Sequence, residues 1–330
     1  MWCFFILNPE SEIQGIVSRS ESKDYYVFSD SDHSSIRCYL RGKFKKDFNL
    51  KKDKLYHTDL VVVGDKVLFD LNDDGTGVIF QILPRDNYIS RKAIKTRGAS
   101  YRGERLEQII ASNIDNIFVV TSTAEPDFNN KTLDRFLVTC ESARIKANII
   151  INKTDLDKDK SLADWATLYK GIGYDVFLTS IFNQKSFDKL VKALKGKKNL
   201  FWGQSGVGKS SLLNLIYPHL NLKVGEISNY TLKGTHTTVT SEMLYVGDGT
   251  YIIDTPGVRE IEPFGIKKEF LGYYFKDFEP FINNCRFNTC THHHEPGCAI
   301  IIAVENGKIS EERYESYLRI LNSVEEDINF

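Results

Sequence analysis

Gly203-Gln204-Ser205-Gly206-Val207-Gly208-Lys209-Ser210 fills the spacing G-x-x-x-x-G-K-[ST], and no segment of the 330-residue chain restricts its fold more tightly. The strand-like Leu200-Phe201-Trp202 leads into it and the helical Ser211-Leu212-Leu213-Asn214-Leu215 follows. A glycine loop between a strand end and a helix N-terminus lets backbone N–H groups curl around phosphate oxygens with no Cβ in the way, and the helix end adds positive potential. Gly203, Gln204, Ser205, Gly206, Val207 and Gly208 are therefore candidate phosphate contacts, with Ser210 and Ser211 at the helix start. Lys209 would reach the β- and γ-phosphates, and Ser210 would place its hydroxyl on Mg2+.

Two further motifs agree with that chemistry. Asp254-Thr255-Pro256-Gly257 follows the strand-like Tyr251-Ile252-Ile253. A carboxylate at a strand's C-terminal end can hold Mg2+ through water, and the Gly257 N–H can meet a γ-phosphate. Asn152-Lys153-Thr154-Asp155 ends the strand-like Ile149-Ile150-Ile151. There Asp155 can accept a pair of hydrogen bonds from guanine N1–H and the exocyclic amine, which adenine does not offer. Asn152 would tether neighbouring loops, Lys153 would lay its alkyl stem along the base, and Thr154 lies between. Thr179-Ser180-Ile181 closes the next strand, where a backbone N–H can meet guanine O6.

Together these motifs point to a GTPase with its parts in an unusual order. The base-reading Asn152–Asp155 and Thr179–Ile181 precede the phosphate loop, whereas in Ras-like chains the phosphate loop comes first. From about residue 113 strands and helices alternate: strands are expected at Ile114–Thr121, Ala147–Ile151, Asp175–Thr179, Asn199–Trp202 and Tyr251–Ile253. Helices are expected at Leu133–Ala143, Trp165–Gly171, Phe187–Leu194 and from Ser210 to Ile216. Such alternation predicts a mostly parallel sheet with helices on both faces.

Residues 1–88 read differently. Short β-like runs at Gly15–Val17, Tyr25–Phe28, Ile36–Leu40, Val61–Val63, Val67–Phe69 and Val78–Ile82 are separated by turn residues such as Gly64-Asp65 and Asn72–Gly75. About five strands suit a small OB-type barrel, a fold whose face commonly binds RNA, with an SH3-like barrel as the alternative. A basic stretch at residues 89–112, together with Arg85, reads as a charged linker through Arg91, Lys92, Lys95, Arg97, Arg102 and Arg105. A second basic patch, Arg41 to Lys54, lies inside the barrel segment. With 43 basic and 44 acidic residues, a uniformly basic nucleic-acid binder is excluded, so RNA contact must come from such patches. The opening apolar run Met1–Leu7 breaks at Asn8-Pro9 and has no basic leader, and no run is long enough to span a bilayer. The expectation is a cytoplasmic protein with no membrane partner.

The six cysteines are unevenly placed: three are scattered, while Cys285, Cys290 and Cys298 crowd together with His292, His293 and His294. The pattern C-x4-C-x-H-x5-C supplies three thiolates and an imidazole, a closed tetrahedral set for one structural zinc. By chemistry alone His293 and His294 stand open beside His292 as the fourth ligand.

The chain as a whole resembles the circularly permuted RsgA (YjeQ) family of small-ribosomal-subunit biogenesis GTPases, through the motifs above and Cys285–His292, Glu295–Cys298 and Glu305–Tyr314 in the tail. Gly234-Thr235-His236-Thr237-Thr238 is similar to that family's switch I, although Thr235 stands where the family often has arginine. Thr179-Ser180-Ile181 likewise replaces the more usual Ser-Ala form. The resemblance implies a multidomain α/β architecture: an OB-type RNA-binding barrel at 1–88, the linker at 89–112, a circularly permuted GTPase domain at 113–263 and a mainly helical zinc-binding domain at 264–330. It implies His292 as the fourth zinc ligand, and a monomer that acts on GTP/GDP, the small ribosomal subunit and its rRNA. Ras-like enzymes orient the attacking water with a glutamine just after D-x-x-G, where this chain has Val258. His236 is the candidate to orient the water, and Thr237 or Thr238 the candidate switch ligand for Mg2+. The alternative from another class is a nucleotide-gated RNA-binding module whose hydrolysis is incidental.

Overall fold

The computed structural model describes residues 13–21, 24–42, 60–92, 107–158, 161–222, 241–254 and 265–324. Five amino-terminal strands form a closed barrel: β1 (Ile13–Glu21), β2 (Asp24–Ser29), β3 (Ser35–Leu40), β4 (Lys66–Leu71) and β5 (Gly77–Ile82). β1–β2, β2–β3 and β4–β5 pair antiparallel, β3 pairs parallel with β5, and β1 pairs antiparallel with β4 to close the ring. Each strand turns alternate residues inward, so Val17, Tyr25, Val27, Cys38, Leu40, Val67, Phe69 and Ile79 form one core.

Two sequence expectations change here. Val61–Val63 is buried as expected for an apolar run but is a turn and not a strand, because the chain wraps around the fully buried Asp65. Asp65 accepts from the Val62 N–H (2.9 Å), the Ser112 hydroxyl (2.7 Å) and the Arg85 guanidinium (2.6 and 2.8 Å). Both ends of the expected linker are strands: β6 (Tyr88–Lys92) runs antiparallel to β7 (Glu107–Ser112). Two of its basic residues are already engaged, Arg85 with Asp65 and Arg91 with Gln108 at 3.0 Å. Residues 43–54 of the other basic patch lie outside the described residues.

The α/β part contains β8 (Asn116–Ser122), α1 (Asn130–Ser142), β9 (Lys146–Asn152), α2 (Leu162–Ile172), β10 (Asp175–Leu178), α3 (Asp188–Leu194), β11 (Lys198–Trp202) and α4 (Lys209–Ile216). β10, β9, β8 and β11 lie side by side and parallel, with Ile117 opposite Ala147 and Leu200. β8 and β9 are buried on both faces, as parallel strands between helices must be. β12 (Glu242–Gly247) and β13 (Thr250–Asp254) follow, and β12 meets β1 at Arg19 and Glu242. The tail is helical: α5 (Lys268–Leu271), α6 (Glu279–Ile282), α7 (Ala299–Glu305) and α8 (Glu311–Ser323). No described helix is long and apolar enough to cross a membrane.

The chain divides into two compact units whose limits differ from the expected domains. One takes residues 1–114 with 238–245 and 251–256; the other takes 115–237, 246–250 and 257–330. The helical tail thus belongs to the same unit as the parallel sheet. The physical reason is a shared polar core. Asp134 on α1, fully buried, receives hydrogen bonds from Arg313 of α8 and from the Tyr169 hydroxyl of α2 at 2.7 Å. Arg313, 1% exposed, also grips Asp277 with two donors at 2.7 and 3.2 Å and lies over the Phe275 ring. A buried guanidinium is tolerated only when its donors and charge are met, and here two carboxylates from separate segments meet them.

Candidate guanine-nucleotide site and metal centre

β9 and β10 end beside each other, and their ends carry the residues expected from the sequence to read the base. Asn152, buried at the last position of β9, is the hub. Its amide donates to the Val207 carbonyl at 3.0 Å, and its side-chain oxygen accepts from the Thr179 hydroxyl at 3.0 Å. One side chain thereby joins the 203–210 loop to the ends of β9 and β10. Gly208 (φ +92°) leaves room for this, since a Cβ there would stand 2.5 Å from the Asn152 amide nitrogen. Thr154 donates its N–H and hydroxyl to the Thr179 carbonyl at 3.1 and 3.2 Å, which locks the two strand ends together.

Asp155 is exposed within a short 3-10 turn (Thr154–Leu156), and its carboxylate accepts the Ser180 hydroxyl. Ser180 is buried and its oxygen also accepts the Phe182 N–H at 3.2 Å, so the carboxylate is oriented by a fixed neighbour. Lys153, in the left-handed region at φ 59°, sends its ammonium back to the carbonyls of Ala124 (3.3 Å) and Glu125. This contact, invisible in the motif itself, ties the base-reading turn to the loop between β8 and α1.

The phosphate loop runs from β11 into α4 with positive φ at Gly203, Gly206 and Gly208. Lys209 opens α4, and its ammonium donates to the carbonyls of Gly203 and Gln204, both at 2.8 Å. It therefore sits across its own loop, with Ser210 and Ser211 in the first helical turn. Asp254 ends β13. His236, Thr237, Thr238, Gly257 and Val258 lie outside the described residues.

In the tail, Cys285, Cys290, His292 and Cys298 bring their ligand atoms within 4.8 Å of one another. A tetrahedral zinc with bonds of about 2.0–2.3 Å places its donors roughly 3.5–3.8 Å apart, so the set needs only a small contraction. His292 Nδ1 lies 3.5 Å from Cys285 Sγ and 3.4 Å from Cys298 Sγ, which identifies Nδ1 as the nitrogen aimed at the cluster. His293 and His294 are exposed and outside the set, which resolves the choice left open by the sequence. The other side of the His292 ring presses on Gly272, where a Cβ would come within 2.9 Å of two ring atoms.

Residues that no ligand pattern reveals hold the cluster. Glu295 accepts from the N–H and hydroxyl of Thr291 (2.7 and 2.6 Å) and from the N–H groups of His293 and His294 (3.0 and 3.2 Å). Burial opposes the charge, but these bonds hold the Glu295 carboxyl well below the usual range. The Tyr314 hydroxyl donates to the His292 carbonyl at 2.8 Å, and Tyr317 donates to that of Thr291. Burial pushes the Cys290 thiol up to about 12 and raises that of Cys298, so a metal must displace protons to bind thiolates. With no fourth position left for water, the set suits a structural ion and fits zinc.

Comparison with known proteins agrees with both halves. The RsgA GTPase family profile matches residues 82–264, and the RsgA N-terminal domain matches 14–79. The chain is 39% identical to the small ribosomal subunit biogenesis GTPase RsgA of Phocaeicola vulgatus, over 95% of this chain and 98% of that protein. It is 40% identical to that of Bacteroides fragilis, with the same coverage. Among solved structures, YjeQ from Thermotoga maritima aligns with a TM-score of 0.74 and 32% identity, over 95% of this chain and 98% of that one. YloQ, described as a circularly permuted GTPase, aligns at 0.72 and 30%, covering 97% and 98%. With the permuted order of motifs, the amino-terminal barrel and the Cys3His tail, the chain belongs to the RsgA family of circularly permuted GTPases.

Proposed function

We propose that this GTPase binds the small ribosomal subunit and its rRNA, acts late in subunit maturation, and hydrolyses GTP faster when docked there. The observation that carries the nucleotide half is the Asn152 tether, which assembles the phosphate loop and both base-reading segments around one buried amide. The ribosomal half is supported by the names of relatives matched over nearly their whole length and by the barrel. The protein is proposed to work in the cytoplasm as a monomer, with no membrane partner.

In this reading Asp155 accepts from guanine N1–H and its amine, Lys153 covers the base, and the backbone from Gly203 to Ser211 cradles the phosphates. Lys209, already poised across the loop, shifts toward the β- and γ-phosphate oxygens and Gly257 donates its N–H to the γ-phosphate. Ser210, Thr238 and Asp254 would hold Mg2+, which supplies charge neutralisation between the β- and γ-phosphates. Water attacks the γ-phosphorus, the bond to the β-γ bridging oxygen breaks, and GDP leaves with the electron pair on that oxygen. Val258 has no group to orient the water, so His236 takes that part when the protein is docked on rRNA.

Co-sedimentation with separated ribosomal subunits, in GDP and in a non-hydrolysable GTP analogue, tests the assignment. Preferential association with the small subunit and faster turnover in its presence are expected. Fast turnover alone with no gain from subunits would defeat the docking mechanism. His236→Ala should keep GTP binding yet lose about 100-fold or more of the stimulated rate, the usual scale for a positioned acid–base group. Unchanged stimulation would remove His236 from the mechanism.

Cys285, Cys290, His292 and Cys298 would hold one structural zinc. Cys290→Ser should abolish stoichiometric zinc by elemental analysis and weaken small-subunit association. Full metal retention in that variant would exclude this ligand set.

A further inference from the structure

The loop between β8 and α1 touches both halves of the nucleotide site. Thr123 donates its N–H to the Asn152 carbonyl at 3.0 Å, and the Ala124 and Glu125 carbonyls receive the Lys153 ammonium. The same turn backs the phosphate loop, since a Cβ on Gly206 would lie 3.5 Å from Pro126 and 3.6 Å from the Glu125 carbonyl oxygen. The chain then enters α1, capped by Asn129, whose side chain accepts from the Thr132 N–H at 3.1 Å.

α1 is in turn held by α8. Asn130 donates to the Glu312 carbonyl and the Ser316 hydroxyl, both at 3.3 Å, and Arg135 donates to the Ser323 hydroxyl at 3.0 Å. Between these outer contacts lies the buried Arg313–Asp134 pair. A ring contact joins the same centre to the loop, for Phe128 packs on Trp165 at 5.2 Å, Trp165 on Tyr169 at 6.3 Å, and Tyr169 donates to Asp134. α8 also carries Tyr314 and Tyr317, which hold the carbonyls of His292 and Thr291 in the Cys3His loop.

We propose that α1 and α8 make the helical tail a sensor of nucleotide occupancy, with Asn130 and Arg135 the positioning residues that set α1 on α8 around the Arg313–Asp134 pair and so keep the Thr123–Phe128 loop under Lys153 and Gly206. The inference rests on the guanine-site reading above. Its consequence is specific: the loop supports the parts that hold guanine and the phosphate loop, which GDP and GTP share. The tail therefore tightens with either nucleotide, unlike a signal sent through Gly257, which would need the γ-phosphate. Coupling in equilibrium affinity is reciprocal, so a nucleotide that tightens metal binding binds less well to the metal-free chain by the same factor.

The test uses the full-length, zinc-loaded protein. Zinc release to a chromogenic chelator is timed without nucleotide, with GDP and with a non-hydrolysable GTP analogue, while binding of a fluorescent GDP is titrated in parallel. GDP and the analogue should slow release equally, by about fivefold or more, the lower range of measured coupling between sites. Amide exchange along α1 and α8 should slow with GDP as well. Because Arg313→Lys risks misfolding, the deciding variant is Asn130→Ala combined with Arg135→Ala, which leaves the buried pair intact. It should still bind GDP, but its release rates with and without GDP should converge; a purely structural role would change the baseline rate and leave the ratio untouched. Protection by the GTP analogue alone, no protection by bound GDP, or an unchanged ratio in the double variant would each overturn the proposal. Failure of the wild-type protein to bind fluorescent GDP would instead overturn the guanine-site reading.

Discussion

Asp155→Asn should lower GTP affinity by roughly 10²–10⁴-fold and raise affinity for xanthosine triphosphate. The carboxylate accepts two guanine donors, each charge-assisted bond contributing about 1.5–3 kcal/mol, and about 1.4 kcal/mol is tenfold in affinity. An amide at this position turns one acceptor into a donor that opposes guanine's amine but faces the xanthine O2 acceptor. The substitution should not collapse the pocket: the Asn oxygen can still accept the Ser180 hydroxyl, and the neighbouring turn stays tied through Thr154 to Thr179. Competition of GTP, XTP and ATP against a fluorescent guanine nucleotide reads the outcome. Equal binding of ATP and GTP by the unaltered protein would refute Asp155 as base selector.

Arg313→Ala should be the most destabilising single change in the α/β unit, by about 3–5 kcal/mol, because it strands buried carboxylates without their counter-charge. Asp134 is fully buried and Asp277 is 8% exposed at its side chain, so neither can recruit enough water in place of the guanidinium. Chemical denaturation measures the loss, and Arg313→Ala combined with Asp134→Ala should cost less than the sum of the two single changes. The deficit also carries a pH signature. Burial already pushes the Asp134 carboxyl up, while Arg313 pulls it down. Without Arg313 the folded state holds Asp134 protonated, whereas the unfolded chain ionises near the ordinary value of about 4. The unfolded state then binds fewer protons, so the variant's stability falls as pH rises through that range and its deficit narrows on acidification. A deficit independent of pH would place the loss in packing alone.

The sequence of this protein determined the features that local chemistry controls. Glycine spacing before a helix, an acid at the end of an apolar strand and thiols within a few residues each constrain their own neighbourhood; Asn152 is bonded to Val207 of the glycine loop and to Thr179, and in the tail the Cys3His ligand atoms converge. Alternating patterns likewise placed the barrel strands and the parallel sheet. Val61–Val63 escaped because burial alone does not distinguish a strand from a turn, and Asp65, forty-seven residues from Ser112, decided which it became. Ring closure by β1 and β4 and the pairing of β6 with β7 depend on contacts between distant segments, for which periodicity holds no signal. The same limit hid the part Arg313 plays: in the sequence it is one charge within the tail segment Glu305–Tyr314. Only the tertiary structure brought Asp134 from α1 and Asp277 from the tail around it, since a buried charge is stable where its partners converge and those partners are 179 and 36 residues away.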